Sequence, residues 1–341
     1  IVVRTIFTYT SYSFQITNRI KQYAGMVIGY RVFYGLGAIL MLLLGCDDFY
    51  FFCMVDLRSD VFGILFASRN NKGMYFGRSL QIKDAFEEAR KNISAGIMLM
   101  ASNWSSFLLT GSARMMIQWH WDKITFGKVS FAFSITNLFL TFVTAISVVL
   151  FPSLKRMDEG NLPKLYKKIR DAMNPIMIAI LVFYYPGCWI LRKWLPGYNN
   201  SLSYLGVLLP MIIFSSKISL LTNNYLKTLR KEKQMLIINL ISVGTAICLF
   251  IFSAYVADSL KMLLIFIVGA IMLCSILSEA IVMKTLNIFN VKSFIGEIVM
   301  TVVFIFSTMV PSQIMGMWIY SMAVGVFLFL NRKSIQSVLA R

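Results

Sequence analysis

Asp56, Arg58 and Asp60 fall near the middle of an otherwise apolar run, 49–67. Three such charges cost about 8–10 kcal/mol on membrane-insertion scales before pairing, more than a lone helix sustains. Asp56 and Asp60 are four residues apart and share a helical face, with Arg58 nearly opposite. Two carboxylates on one face suit a proton or Na⁺, and Arg58 suits an anionic ligand; salt bridges inside a bundle would satisfy the same charges equally well. Glu279, four after Ser275, is a third carboxylate suited to cation coupling. A lone cation, Lys217, lies in the run 202–226, where Pro210, Lys217 and Asn224 recur at heptad spacing. A lysine at that depth faces protein or water, or snorkels to the headgroups. Pro210 removes a helical hydrogen bond and lets its helix bend.

Two consecutive runs carry polar edges. In 126–151, Ser130, Ser134, Asn137, Thr141 and Thr144 return to one side at steps of four, three, four and three residues; in 93–117, Asn103, Ser106, Thr110 and Arg114 do the same. Close helix packing explains such edges, because Ser and Thr let membrane helices approach. Charge at their outer ends, Arg114 and Lys128, favours a hydrated cavity instead, although Lys128 sits well around the helix from Ser130. The segment QWHWDKIT at 118–125 holds two Trp and the sole His, His120; it reads as an interfacial aromatic anchor, since no second ligand is near in sequence.

The elements that position these residues follow from composition. Of 341 residues 58% are hydrophobic, and the mean hydropathy is +0.71. The apolar runs have the length a helix needs to cross a bilayer and lack the alternation of a membrane barrel. Spans are predicted at 27–46, 49–67, 93–117, 126–151, 173–191, 202–226, 235–256, 262–283, 294–310 and 314–330, about ten transmembrane helices plus a partial one at 1–16. The chain is thus expected to be an all-α, polytopic helical membrane protein. Because Ile1 is not Met and 1–16 reads as the tail of a helix, an N-terminal portion is expected to be missing.

Alternating the spans puts most of the 33 basic residues on one side, which the positive-inside rule makes cytoplasmic, together with the C-terminus. The net charge of +18 therefore belongs beside anionic lipid headgroups, and no nucleic acid is expected as a partner. The stretches 161–172 and 79–92 are amphipathic and read as helices on the cytoplasmic surface. The five cysteines are scattered in apolar runs without a CxxC pair and read as small hydrophobes, with no metal implied.

Three stretches, NRIKQYAG at 18–25, FGKVSFAFSITNLFLTFVTAISVVLFPSLKR at 126–156 and YLKTLRKEKQMLIIN at 225–239, give the chain a family texture. It resembles the polysaccharide flippases of the multidrug/oligosaccharidyl-lipid/polysaccharide exporter superfamily, translocases of O-antigen and capsule repeat units in bacterial inner membranes. The resemblance implies two six-helix lobes around a central cavity. It would make 1–67 a remnant of the first lobe, 68–91 a cytoplasmic linker, 92–285 the second lobe, and 286–341 an added C-terminal hairpin and tail. It implies a transporter rather than an enzyme, in the bacterial inner (plasma) membrane, moving undecaprenyl-pyrophosphate-linked oligosaccharide by alternating access. No cofactor is expected beyond H⁺ or Na⁺ as coupling ion; partners would be the lipid-linked substrate, membrane lipids, and a polysaccharide polymerase with its chain-length regulator. In that frame Arg114, Lys217, Lys128 and Arg58 are cations for pyrophosphate or acidic sugars, and Asn103, Ser130, Ser134, Asn137 and Thr141 suit sugar hydroxyls. Asp56, Asp60 and Glu279 are the coupling candidates. The alternatives are a cation-coupled drug exporter of the same superfamily, favoured by an apolar or acidic cavity, and a membrane-embedded polysaccharide polymerase or acyltransferase, favoured by a large outer loop or a His/Asp catalytic pair, neither of which is visible in the sequence.

Overall fold

The computed structural model describes residues 2–45, 48–70, 82–195, 197, 199–288 and 292–332. Part of the expected linker (71–81 of 68–91), Cys46 and the C-terminal tail 333–341 lie outside the described residues. Every element among the described residues is helical, and the chain is a polytopic helical membrane protein. Two compact units are formed, Ile1–Lys91 and Asn92–Arg341.

The first unit contains α1 (Val2–Ile16), α2 (Ile20–Leu43) and α3 (Phe49–Asn70). Phe7, Phe14, Met26, Tyr30 and Ala67 form its core. Outward, Leu36, Leu40 and Leu43 stand exposed, a surface that suits hydrocarbon better than water.

Helix α4 (Ile82–His120) begins in the first unit and continues into the second, which holds α5 (Lys123–Lys155), α6 (Leu162–Ile180), α7 (Tyr184–Trp194), α8 (Asn199–Leu208), α9 (Met211–Ser216), a π-helical stretch Lys217–Thr222, α10 (Asn223–Thr228), α11 (Glu232–Ile251), α12 (Leu260–Thr285), α13 (Lys292–Met309) and α14 (Gln313–Leu330). Several starts are capped as their sequences require. Asp122 accepts a hydrogen bond from the Thr125 amide at 3.2 Å, and the bonding from Thr125 holds the exposed carboxyl below its ordinary range. Ser259 and Ser312 cap α12 and α14 in the same way.

Among the described residues, six helices are long and apolar enough to cross a membrane, or seven if the bent pair α8 and Met211–Thr228 is one span. That is fewer than the run lengths predict. Phe49–Asn70 carries three charges mid-helix, α4 carries Ser102, Asn103, Ser105 and Ser106 through its middle, and the apolar part of α13, Phe294–Met309, is shorter. The separate surface helix expected at 161–172 does not form. Leu162–Trp194 runs as one long helical rod through a 3₁₀ turn at Leu181–Phe183, with Leu162, Tyr166 and Arg170 buried, because its amphipathic face finds protein to pack against.

The bent pair is the centre of this unit. Nearly every residue from Leu205 to Leu226 is buried, as expected of a helix that is apolar all round. It bends by 47° at the break before Met211, where Pro210 stands. Around it, Tyr184, Tyr185, Phe304 and Tyr320 form a chain of tilted aromatic contacts with centroids 4.8–6.4 Å apart. Each tyrosine hydroxyl is satisfied: Tyr184 donates to the Leu202 carbonyl (3.1 Å), Tyr320 to the Ile178 carbonyl (2.9 Å), and Tyr185 pairs with Ser307 (2.6 Å). The C-terminal hairpin is thereby stitched to the rod.

Helices α13 and α14 touch closely at Gly316, where an added Cβ would lie 2.4 Å from the Ser307 carbonyl oxygen. Gly316→Ala should therefore lower the stability of the purified chain by about 1–3 kcal/mol, read as an earlier thermal unfolding transition. Gly325→Ala on the same helix, where a Cβ meets open space, should leave the transition unmoved.

Candidate functional site

Four helices of the second unit bring ionised side chains together in its interior. Arg170 comes from α6, Lys217 from the first residue of the π-helical stretch, Glu279 from α12 and Glu297 from α13. The side chains of Lys217 and Glu279 are 0% exposed, that of Glu297 2% and that of Arg170 7%. The Arg170 Nε donates to Glu279 Oε1. Lys217 Nζ donates to Glu297 Oε2 at 2.6 Å and lies against Glu279 Oε2 as an ion pair without hydrogen-bond alignment. Arg170 Nη2 stands 3.6 Å from Glu297 Oε1, which also accepts from Asn174 Nδ2 at 2.5 Å. The Phe294 ring closes one side, under Lys217 Nζ at 5.7 Å and the Arg170 guanidinium at 5.9 Å.

The network is charge-balanced, two cations against two carboxylates, in a setting where an unpaired charge is very costly. It lies toward the ends of the helices that join the basic loops: Glu279 is six residues before Thr285, about 9 Å along the helix axis. Buried polar atoms remain over. The Tyr166 hydroxyl, one turn before Arg170, and Asn174 Oδ1 have no hydrogen-bond partner. Sequence reading placed Lys217 and Glu279 among its candidates but not Arg170, Asn174 or Glu297. The available signal was Glu297 itself, the sole acidic residue in the run 294–310. Arg170 was hidden among the lysines of an amphipathic stretch. Snorkelling by Lys217 is excluded by this geometry, since its amine ends on two carboxylates.

Two carboxylates of the first unit, Asp56 and Asp60, are also partnered. Asp60 is buried and takes Arg4 Nη1 at 2.6 Å; Asp56 accepts from the Tyr30 hydroxyl at 2.7 Å, and the Arg4 guanidinium lies 4.9 Å from the Tyr30 ring. Arg58 points away from this cluster and is exposed.

The polar edge of α5 lies on an open face. Ser134, Asn137, Thr141 and Thr144 are exposed and Ser130 is half-buried, while Val129, Ala132, Phe133, Thr136 and Val143 pack inward. The hydroxyls of Ser134, Thr141 and Thr144 close onto carbonyls of their own helix at 2.8–2.9 Å. On α4, Asn103 is exposed; one residue away, Ser102 is buried and shares with Ser106 the amide of Asn239, which bonds to Ser102 O and Oγ and to Ser106 Oγ at 2.8–3.0 Å. Arg114 is half-buried, with its guanidinium 4.5 Å from the Phe133 ring and its Nε unpartnered. Lys128 is half-buried one turn from the start of α5.

His120 meets a residue far away in the chain. Its Nε2 lies 3.1 Å from the exposed carboxylate of Asp258, and its ring packs edge-on to Trp121 and Tyr255 at 4.5 and 5.2 Å. Aromatic anchoring and an acid–imidazole pair thus coincide there. Cys188 and Cys274 are buried and Cys53 and Cys248 exposed; all four are free thiols.

The network makes a specific energetic statement. Lys217→Ala leaves two buried carboxylates sharing one arginine, and should cost about 3–5 kcal/mol in unfolding experiments on the purified chain. Lys217→Met combined with Glu297→Gln removes one charge of each sign and should recover most of that loss; equal damage from the single and the paired substitution would show that the charges are not coupled.

No family model matches the chain, and neither the curated proteins nor the solved structures searched contain a match, so the site's chemistry is inferred from its own geometry.

Proposed function

We propose that this chain forms part of a bacterial inner-membrane transporter that flips undecaprenyl-pyrophosphate-linked oligosaccharide from the inner to the outer leaflet by alternating access, with H⁺ or Na⁺ as coupling ion. The observation that carries the reading is the buried, charge-balanced network of Arg170, Lys217, Glu279 and Glu297, in which Lys217 stands on a helix that is both bent and π-wound. Ionised groups inside a membrane bundle are costly and mark ion or substrate pathways, and π-helical turns recur at functional sites. A diphosphate headgroup cannot cross hydrocarbon unaided, and cations poised inside a bundle supply what that passage requires. The resemblance of 18–25, 126–156 and 225–239 to polysaccharide flippases points the same way, as does the polytopic helical architecture. A polysaccharide polymerase and its chain-length regulator are the partners this function calls for.

A drug exporter of the same superfamily needs a free acid for a cationic drug. Here Glu279 and Glu297 are both held by cations, which lends that alternative less support. The pair His120–Asp258 favours a second reading, a membrane-embedded polymerase or acyltransferase with an imidazole base. Its carboxylate is 79% exposed, and no hydroxyl or thiol bonds to the imidazole among the described residues.

Deleting the gene for this chain should trap lipid-linked repeat units on the cytoplasmic leaflet and remove surface polysaccharide. Undiminished surface polysaccharide with nothing trapped would sink the flippase reading. Lys217→Ala should abolish complementation and Lys217→Arg should restore part of it, whereas His120→Ala should complement fully; a His120→Ala strain that still flips repeat units but accumulates unpolymerised ones would favour the enzyme.

A further inference from the structure

We infer that the four-helix network is a proton-operated latch: Glu297 takes up and releases a proton, Lys217 is freed when the proton is on, and the π-wound helix Met211–Thr228 is the part that moves. The inference deepens the transport reading and rests on it, naming the coupling ion and the residue that carries it.

Glu297 is surrounded on every side by identified groups. Arg170, Asn174 and Tyr166 face it from α6, Lys217 from the π-helical stretch and Glu279 from α12. Of the other helices packed on α13, α8 offers Tyr204 and α14 offers Tyr320, whose hydroxyl is spent on the Ile178 carbonyl; Tyr185 is spent on Ser307. With both carboxylates ionised the set is neutral. One proton on a Glu297 oxygen leaves two cations and one carboxylate in an apolar interior. Lys217 is the cation that loses its hydrogen bond: its remaining contact, with Glu279 Oε2, lacks hydrogen-bond alignment, and Glu279 is shared with Arg170 Nε.

Asn174 is built for both states. Its Nδ2 donates to Glu297 Oε1 while its Oδ1 has no partner, in a side chain only 9% exposed. A protonated Glu297 becomes a donor, and rotating the amide brings the idle Oδ1 round to accept from it. A proton also fits the site better than Na⁺. A hard metal cation needs several oxygen ligands, whereas the oxygens here already face the N–H groups of Lys217, Arg170 and Asn174, and two fixed cations repel an incoming ion.

The moving part is visible in the backbone. Lys217 is the first residue of the π-helical stretch, and the same helix breaks by 47° at its start. Rewinding that turn as α-helix removes one residue from it and swings Lys217 by about 100° around the axis, away from the carboxylates. Closed, the latch ties this helix to α6, α12 and α13; open, it releases a lysine able to meet an anion.

The test uses the full chain, purified and reconstituted without substrate. Infrared difference spectra between about pH 8 and pH 5 should show a carboxylic acid band appearing in the wild type and absent from Glu297→Gln. Amide protection across 211–228, taken relative to the unstructured exchange rate at each pH, should be on the order of tenfold lower at the acid pH in the wild type, and already that low at the higher pH in Glu297→Gln. Should that variant fail to fold, Lys217→Met/Glu297→Gln keeps the charge balance and should likewise lack the band. A wild type without the band, a band that survives Glu297→Gln, or protection in Glu297→Gln that keeps the wild-type pH dependence would overturn the latch. Neither readout involves lipid-linked oligosaccharide, so loss of the latch leaves the flippase reading standing, and a titrating latch in a protein that flips nothing leaves the latch.

Discussion

An ionised side chain inside a bundle of apolar helices has to find an opposite charge or a hydrogen-bond partner there, and much of the second unit can be read as the consequence. Lys217 is fully buried on a helix surrounded by protein, so its amine cannot reach water. It is tolerable only because Glu279 and Glu297 converge on it, and these in turn require Arg170 and Asn174. Four separate helices must therefore sit in one arrangement. Replacing any one charge by an apolar group strands another, which makes the network a strong constraint on helix placement even though its net contribution to stability is small.

The constraint explains why the C-terminal hairpin is no appendage. Glu297 comes from its first helix, and the aromatic chain of Tyr184, Tyr185, Phe304 and Tyr320 secures it, with Gly316 allowing the two hairpin helices to approach. The same end of the bundle holds the basic loops. Basic loops and a buried ionic network are thus near each other along the same helices. The first unit shows the same rule on a smaller scale, with Asp60 answered by Arg4 and Asp56 by Tyr30.

Polar residues that carry no charge behave differently. The hydroxyls of Ser134, Thr141 and Thr144 are satisfied within one turn of their own helix, so that edge imposes nothing on its neighbours and remains open. An amide carries more donors and acceptors than its own turn can satisfy. Asn239 accordingly draws in Ser102 and Ser106 from α4 and accepts from Cys274 on α12. Buried amides and charges organise this bundle, while its hydroxyl stripes decorate it.

The helical class, the membrane setting and the positions of most helices were legible in the sequence, because run length and uninterrupted apolarity are local properties that a bilayer tests one segment at a time. The bend at Pro210 was legible for the same reason, since a missing amide acts within its own turn. Lys217 and Glu279 announced themselves as charges in apolar runs. Their being partners did not follow, nor did the membership of Arg170, Asn174 and Glu297, nor the pairing of His120 with Asp258 across 138 positions. The surface helix expected at 161–172 became the buried start of a long rod because its amphipathic face met protein instead of headgroups. Periodicity states which side of a helix must be satisfied, but what satisfies it is fixed by packing among helices distant in the chain, and for this protein the tertiary structure alone decided that.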